Sequence, residues 1–188
     1  MNLNYFPKKN INISGLTYIP NYIPVEFENE LISLIDSQKW NQDLKRRTQH
    51  YGYKYDYTAR SVDTSHYLGK IPYWVDELCG KLHKDDIFME KPDQVIINEY
   101  MPGQGIAPHI DCVPCFTDTV CSLSLGSGCI MDLTNGNIKV PVYLEPRSLL
   151  ILKGDVRYKW KHGIAPRKSD NGVDRQRRTS LTFRKVRL

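Results

Sequence analysis

The chain has 188 residues, 40% hydrophobic and 25% charged, with a formal net charge of +5. That length suits one domain of roughly 100–200 residues, and the composition is far from the low-hydrophobicity, high-charge range of disordered chains. No run approaches the roughly 18 apolar residues that cross a bilayer, and Met1-Asn2-Leu3-Asn4-Tyr5 lacks a basic segment followed by an apolar one, which excludes a membrane span and argues against secretion.

Pro24 to Trp40 reads as a surface helix docked on a core. Phe27, Leu31, Leu34 and Ile35 fall at helical spacing behind an acidic first turn of Glu26, Glu28 and Glu30. His50 to Thr58 alternates strictly and predicts a strand with Tyr51, Tyr53, Tyr55 and Tyr57 on one face. Tyr73 to Leu82 is the second helix, with Trp74, Leu78 and Leu82 on one stripe behind Pro72. From residue 93 the pattern changes to short strands split by turn residues: Gln94–Tyr100, Val120–Leu125, Ile130–Leu133, Ile138–Tyr143, Ser148–Leu152, Tyr158–His162 and Thr179–Val186. Turn signals include Pro102-Gly103, Asn135-Gly136, Lys153-Gly154-Asp155 and Asn171-Gly172. Arg167–Arg177, polar throughout, reads as a surface loop. The expected architecture is mainly β with flanking α: one domain over 1–188, with N-terminal helices and substrate-recognition strands in 1–92 packed on an antiparallel jelly roll in 93–188.

Charge is uneven along the chain. From Arg157 onward, 11 Lys/Arg face only Asp170 and Asp174, an excess of +9, while the first 156 residues hold 15 bases and 19 acids. A basic end of this kind fits a surface that meets a polyanion such as nucleic acid, and equally a solvated basic face. The five cysteines are odd in number and read as reduced thiols of a cytoplasmic or nuclear protein; Cys112-x-x-Cys115, without a second pair, reads as plain loop thiols rather than a zinc or redox motif.

Three residues carry metal-binding chemistry. His109 and Asp111 are one residue apart, so on a strand they share a face, and His162 follows on a later strand. Two imidazoles and one carboxylate on one side of an octahedral ion leave positions open, the arrangement suited to non-haem Fe(II) oxygenases. Arg178 and Arg184, six apart, share a strand face with Ser180 and Thr182. Two inward guanidinium groups require an anion, and a dicarboxylate would serve both.

Asn98-Glu99-Tyr100-Met101-Pro102-Gly103, then His109-Ile110-Asp111, His162-Gly163 and Arg178 to Arg184 together resemble, in order and spacing, the AlkB family of Fe(II)/2-oxoglutarate dioxygenases. The resemblance covers about residues 45–188. It implies a double-stranded β-helix in which His109, Asp111 and His162 hold Fe(II). The cosubstrate 2-oxoglutarate would be held at its distal carboxylate by Arg178, with Asn98, Tyr100 and Ser180, and at the carboxylate beside the keto group by Arg184; O2 is the other co-substrate. Within the family, the runs Pro102-Gly103-Gln104-Gly105-Ile106, Val120 to Ser127 and Arg178 to Arg187, with Arg46-Arg47, are similar to AlkB-type enzymes that hydroxylate the side chain of a modified wobble uridine in tRNA. Those enzymes carry an RNA-binding module and a methyltransferase domain that these residues lack, and a histidine where Val113 stands. Repair-type relatives that demethylate alkylated adenine and cytosine have an acidic residue at that position, and a valine can neither accept the exocyclic amine's hydrogen bond nor balance a cationic ring.

The implied substrate is a base in single-stranded or looped RNA, tRNA ahead of DNA, because a stacked base cannot reach a buried centre. Arg46, Arg47, Tyr51, Tyr53, Tyr55 and Tyr57 are the candidates for holding it by phosphate pairing and stacking, although a tyrosine row is also what a core would use. Demethylation of N-alkylated bases, a non-catalytic nucleic-acid-binding module and a protein hydroxylase are the competing readings. No membrane contact is expected, and a monomer is.

Overall fold

The structure, a computed structural model, describes residues 13–188, so the N-terminal run Met1–Tyr5 lies outside the described residues. Among these, twelve strands and three α-helices follow one another along the chain. They are β1 (Leu16–Ile19), α1 (Val25–Asp36), β2 (Thr48–Tyr51), α2 (Tyr73–Lys84), β3 (Gln94–Tyr100), β4 (Ile106–His109), β5 (Phe116–Gly126) and β6 (Cys129–Asn135), then β7 (Ile138–Leu144), β8 (Leu149–Leu152), α3 (Gly154–Lys159), β9 (Lys161–Ile164), β10 (Ser169–Asp170), β11 (Val173–Asp174) and β12 (Arg178–Val186). A six-stranded sheet in the order β1-β8-β5-β12-β3-β2 faces a four-stranded sheet in the order β4-β9-β6-β7, and every pairing is antiparallel. Two facing antiparallel sheets with these crossovers are a jelly roll, as the strand spacing predicts.

The strand period divides the larger sheet into two faces. On β12, Leu181 and Phe183 point outward with Val95 and Ile97 of β3 and Leu123 and Leu125 of β5, and α1 and α2 cover them through Leu31, Ile35, Trp74, Val75, Leu78 and Leu82. Toward the smaller sheet, Leu150 and Leu152 of β8 meet Met131, Leu133, Val142, Leu144 and Ile164. The helix stripes read from the sequence are therefore the buried ones. α1 stops at Asp36, four residues before the predicted end: Ser37 Oγ donates to the Leu34 carbonyl at 2.7 Å, and Trp40 turns away to lie under the Arg47 guanidinium. Glu28, expected on the exposed acidic turn, is 5% exposed and accepts from the Gly126 N–H and from Arg147.

Several predicted elements are corrected. The tyrosine strand ends at Tyr51, because Gly52 takes φ +76 and a Cβ there would sit 1.8 Å from the Asp93 carbonyl oxygen. With the alternation broken, the four tyrosines separate: Tyr51 packs edge-on against Trp74, Tyr53 against Tyr67, and Tyr55 against Tyr57. The predicted strand Tyr158–His162 is instead the end of α3 followed by β9. Gly154 at φ +50 starts that turn, and Val156 and Arg157 fix it by burial. Arg167–Arg177 is not a plain surface loop. It holds the hairpin β10–β11 around the predicted Asn171-Gly172 turn, with Asp170 buried between Arg167 and Arg175 while also accepting from the Ile130 N–H. β1 and β4 escaped the strand pattern; β4 contains Pro108, which depresses strand propensity.

The basic end is less of a surface than its count implies: Arg157, Arg175, Arg178 and Arg184 are all under 9% exposed. The expectation of five reduced thiols also fails for two of them. Cys112 and Cys115 are disulfide-bonded, since the turn after Asp111 brings their Cα atoms to 5.3 Å, within bridging range. Cys79, Cys121 and Cys129 are free and buried. No helix among the described residues is long and apolar enough to cross a membrane.

His50 on β2 has a buried Nδ1 without a partner, and burial, reinforced by Lys54 and Arg184, lowers its pKa to about 4. An unfolded histidine takes a proton near pH 6.5, whereas this one resists it until about 4, so its contribution is intact above pH 6.5 and is lost as pH falls. Lowering the pH from 7 to 5 is expected to cost the metal-free protein about 2 kcal/mol through this residue. Thermal melts of wild type and His50→Gln at both pH values check this, the variant showing the smaller drop.

Candidate metal and cosubstrate site

Register creates the site. β4 pairs with β9 so that His109 stands directly opposite His162, their ring centroids 4.4 Å apart. Asp111 lies two residues past His109, beyond the end of β4, and its Oδ2 is 3.6 Å from His162 Nε2. One ligand atom from each of the three lies within 4.8 Å of the others. The His109 Nδ1 is 2.9 Å from the Ala107 carbonyl, so it donates there and leaves Nε2 as the free lone pair.

Electrostatics keep Asp111 and His162 in the protonation states that bind a metal. Burial would raise the Asp111 carboxyl, but Arg184, with help from His162, His109 and Arg157, outweighs it and holds the group well below the usual carboxylate range. Burial lowers His162 to about 4, against the opposing pull of Asp111, so its imidazole is neutral at pH 7. Asp111 Oδ1 accepts from Arg184 Nη2 at 2.7 Å, while its Oδ2 is buried with no hydrogen-bond partner. A buried anionic oxygen aimed at two imidazoles and left unpaired is the donor chemistry of a metal site, and the N2O set fits Fe(II).

A second register builds the rest of the cavity. β12 pairs with β3 so that Arg178 faces Tyr100, Ser180 faces Asn98 and Arg184 faces Gln94. On the other side of β12, Ser180 is opposite Ser124 and Thr182 opposite Ser122. The result is a cavity of about 420 Å³ with the His-Asp-His group at one end and Arg178 farther along β12. Arg178 is 3% exposed, lies over the Tyr100 ring at 5.5 Å and donates from Nη2 to Ser124 Oγ at 2.8 Å, while its Nη1 and Nε have no partner. Arg184 Nη1 donates to Gln94 Oε1 at 3.1 Å, and its Nε is also unpartnered. These orphaned donors fit an anion with several oxygens, as 2-oxoglutarate has.

The residues expected to hold substrate are spread out. Arg46 Nε donates to Asn98 Oδ1 at 2.8 Å, and the Arg46 side chain lines the cavity. Arg47 is on the outer side, paired twice with Glu99. Tyr55 and Tyr57 line the cavity with Arg60, but Tyr51 and Tyr53 do not. Sequence reading missed Gln94, Ser122, Ser124 and Arg157. Extending the β3 and β5 alternation would have found the first three; Arg157 carried no sequence signal, since it looked like the start of the basic end.

An antiparallel jelly roll with two imidazoles, a carboxylate and inward arginines on one cavity is the fold and site of a non-haem iron dioxygenase. Residues 15–184 match the 2OG-Fe(II) oxygenase superfamily. The chain is 39% identical to an uncharacterized protein of Acanthamoeba polyphaga mimivirus, over 99% of this chain and 91% of that one. It is 38% identical to the tRNA (carboxymethyluridine(34)-5-O)-methyltransferase alkbh8 of Xenopus tropicalis, over 92% of this chain but only 32% of that protein's length. The solved structure of OsALKBH1 shares the fold at a TM-score of 0.72 and 18% identity, over 91% of this chain and 96% of that one. The chain belongs to the 2OG-Fe(II) oxygenase superfamily, dioxygenases that use Fe(II), 2-oxoglutarate and O2, and AlkB homologues are among its relatives.

Gly163 follows His162 where β9 meets β4. A Cβ there would lie 2.9 Å from both the N and Cα of Pro108, so a side chain must push the two strands apart. Gly163→Ala is expected to weaken Mn(II) binding by the metal-free protein roughly 10-fold or more by separating the imidazoles. Titration with Mn(II) checks this; an unchanged affinity contradicts it.

Proposed function

We propose that this dioxygenase hydroxylates the side chain of a modified wobble uridine in tRNA, with His109, Asp111 and His162 holding Fe(II) and Asn98, Tyr100, Arg178, Ser180 and Arg184 holding 2-oxoglutarate. The observation that carries the reading is the charge of the cavity. Arg46, Arg60, Arg178 and Arg184 line it, and Asp111 is the one carboxylate among its described lining residues. One dicarboxylate offsets two of these cations, and the remaining field disfavours a positively charged alkylated ring. A uridine-type base, neutral or bearing an acidic substituent, suits that field better. Val113, 42% exposed beside Asp111, adds no carboxylate. The 38% identity to alkbh8, whose name describes a tRNA wobble-uridine enzyme, supports tRNA as the polymer.

With Fe(II) and O2, 2-oxoglutarate is converted to succinate and CO2 while one oxygen atom enters a substrate C–H bond to give an alcohol. The chain's own contribution is to position and exclude. Arg178 would hold the distal carboxylate through its unpaired Nε and Nη1, with Asn98, whose Oδ1 accepts from Arg46, beside it on the cavity lining. Leu150, Leu152 and Ile164 along the cavity wall limit water. Tyr55 and Tyr57 on the cavity lining supply the stacking surface for an unstacked base, with Arg60 for phosphate.

Incubation of tRNA with the protein, Fe(II), 2-oxoglutarate and ascorbate, followed by nucleoside mass spectrometry, is expected to reveal a gain of one oxygen on a modified uridine; loss of methyl groups from methylated adenine or cytosine would support demethylation instead. Succinate release is expected to depend on added Fe(II) and to vanish in His109→Ala, whereas a pure binding module would release none. Arg178→Gln is expected to raise the KM for 2-oxoglutarate about 10-fold to 100-fold, since it removes a charge-assisted pair.

A further inference from the structure

We propose that Arg157 is a positioning residue that locks Asp111 and His162 into their mutual geometry. Resting on the reading of His109, Asp111 and His162 as metal ligands, this assigns a role to a side chain that touches neither metal nor cosubstrate.

Arg157 is 2% exposed, and no carboxylate forms an ion pair with it among the described residues. A buried guanidinium with no carboxylate in direct contact, and only the longer-range pull of Asp111 to offset it, is costly, so a fold has to gain something specific from it. Here the planar fork spans two consecutive carbonyls. Nη1 donates to the Asp111 oxygen at 3.0 Å and Nη2 to the Cys112 oxygen at 3.2 Å, while Nε has no partner and the group lies 5.1 Å over the Tyr158 ring.

The location explains the need. β4 ends at His109, so the backbone of Asp111 has no strand ladder to orient it. The fork replaces that ladder. On the other side, Arg157 belongs to α3, five residues before His162 on β9. One side chain therefore joins the segment that ends in Asp111 to the segment that carries His162. Lysine cannot reproduce this, because its ammonium is a single point donor rather than a planar fork.

The test uses the metal-free protein and Mn(II), with wild type, Arg157→Gln, Arg157→Lys and His109→Ala measured by calorimetric titration, beside thermal melts and the KM for 2-oxoglutarate. The expected result is a loss of Mn(II) affinity of roughly 10-fold to 100-fold in Arg157→Gln and a smaller loss in Arg157→Lys, with the metal-free melting temperature near wild type and the KM for 2-oxoglutarate little changed. Folded variants that bind Mn(II) as tightly as wild type would overturn the proposal. So would the failure of both variants to fold, which would assign Arg157 to the stability of the whole domain. If His109→Ala also binds like wild type, it is the ligand assignment itself that falls, and Arg157 with it.

Discussion

A carboxylate that must stay ionised in a buried place governs the interior of this protein. Asp111 is 7% exposed, and burial alone would favour its neutral form. The Arg184 guanidinium reverses that preference through a 2.7 Å contact to one oxygen and leaves the other oxygen turned toward two imidazoles. Once a cation is required there, β12 has to carry it on its inward face. The period of two then brings Thr182, Ser180 and Arg178 inward along the same wall. The metal end and the cosubstrate end of the cavity are thus consequences of one strand's alternation.

The outward face of the same strands solves a different problem. Asn98 points into the cavity, and its neighbour Glu99 points out, where Arg47 and Arg177 grip it from two sides and Arg177 continues to Asp36 at the end of α1. Arg46 and Arg47 divide in the same way, one reaching Asn98 inside and the other Glu99 outside. Adjacent residues on two segments therefore alternate between building the cavity and tying the segment after α1 to the sheet.

Much of this was legible from residue patterns. Both long helices, β3, and the inward face of β12 follow directly from apolar spacing, because burial against a single core leaves the same periodic trace wherever it occurs. His109, Asp111 and His162 were legible through their chemistry and spacing, and the structure brings them together. The tyrosine segment was misread because strict alternation is only a local signal, and one glycine pressed against the Asp93 carbonyl overrides it. α3 and β4 were missed because both are short, and the contacts that hold them in place come from residues distant in the chain.

What the sequence by itself determined is the set of faces: which side chains point together along each strand and helix, and hence which ligands and cations could share one cavity. The tertiary structure alone decided the pairing of those faces. Only the β4–β9 register sets His109 against His162, and only packing turned Arg157 from an apparent member of a basic surface into a buried fork on two carbonyls. The physical reason is that alternation depends on neighbours within a few residues, whereas register and the partner of a buried charge depend on contacts that span 45 or more residues of chain.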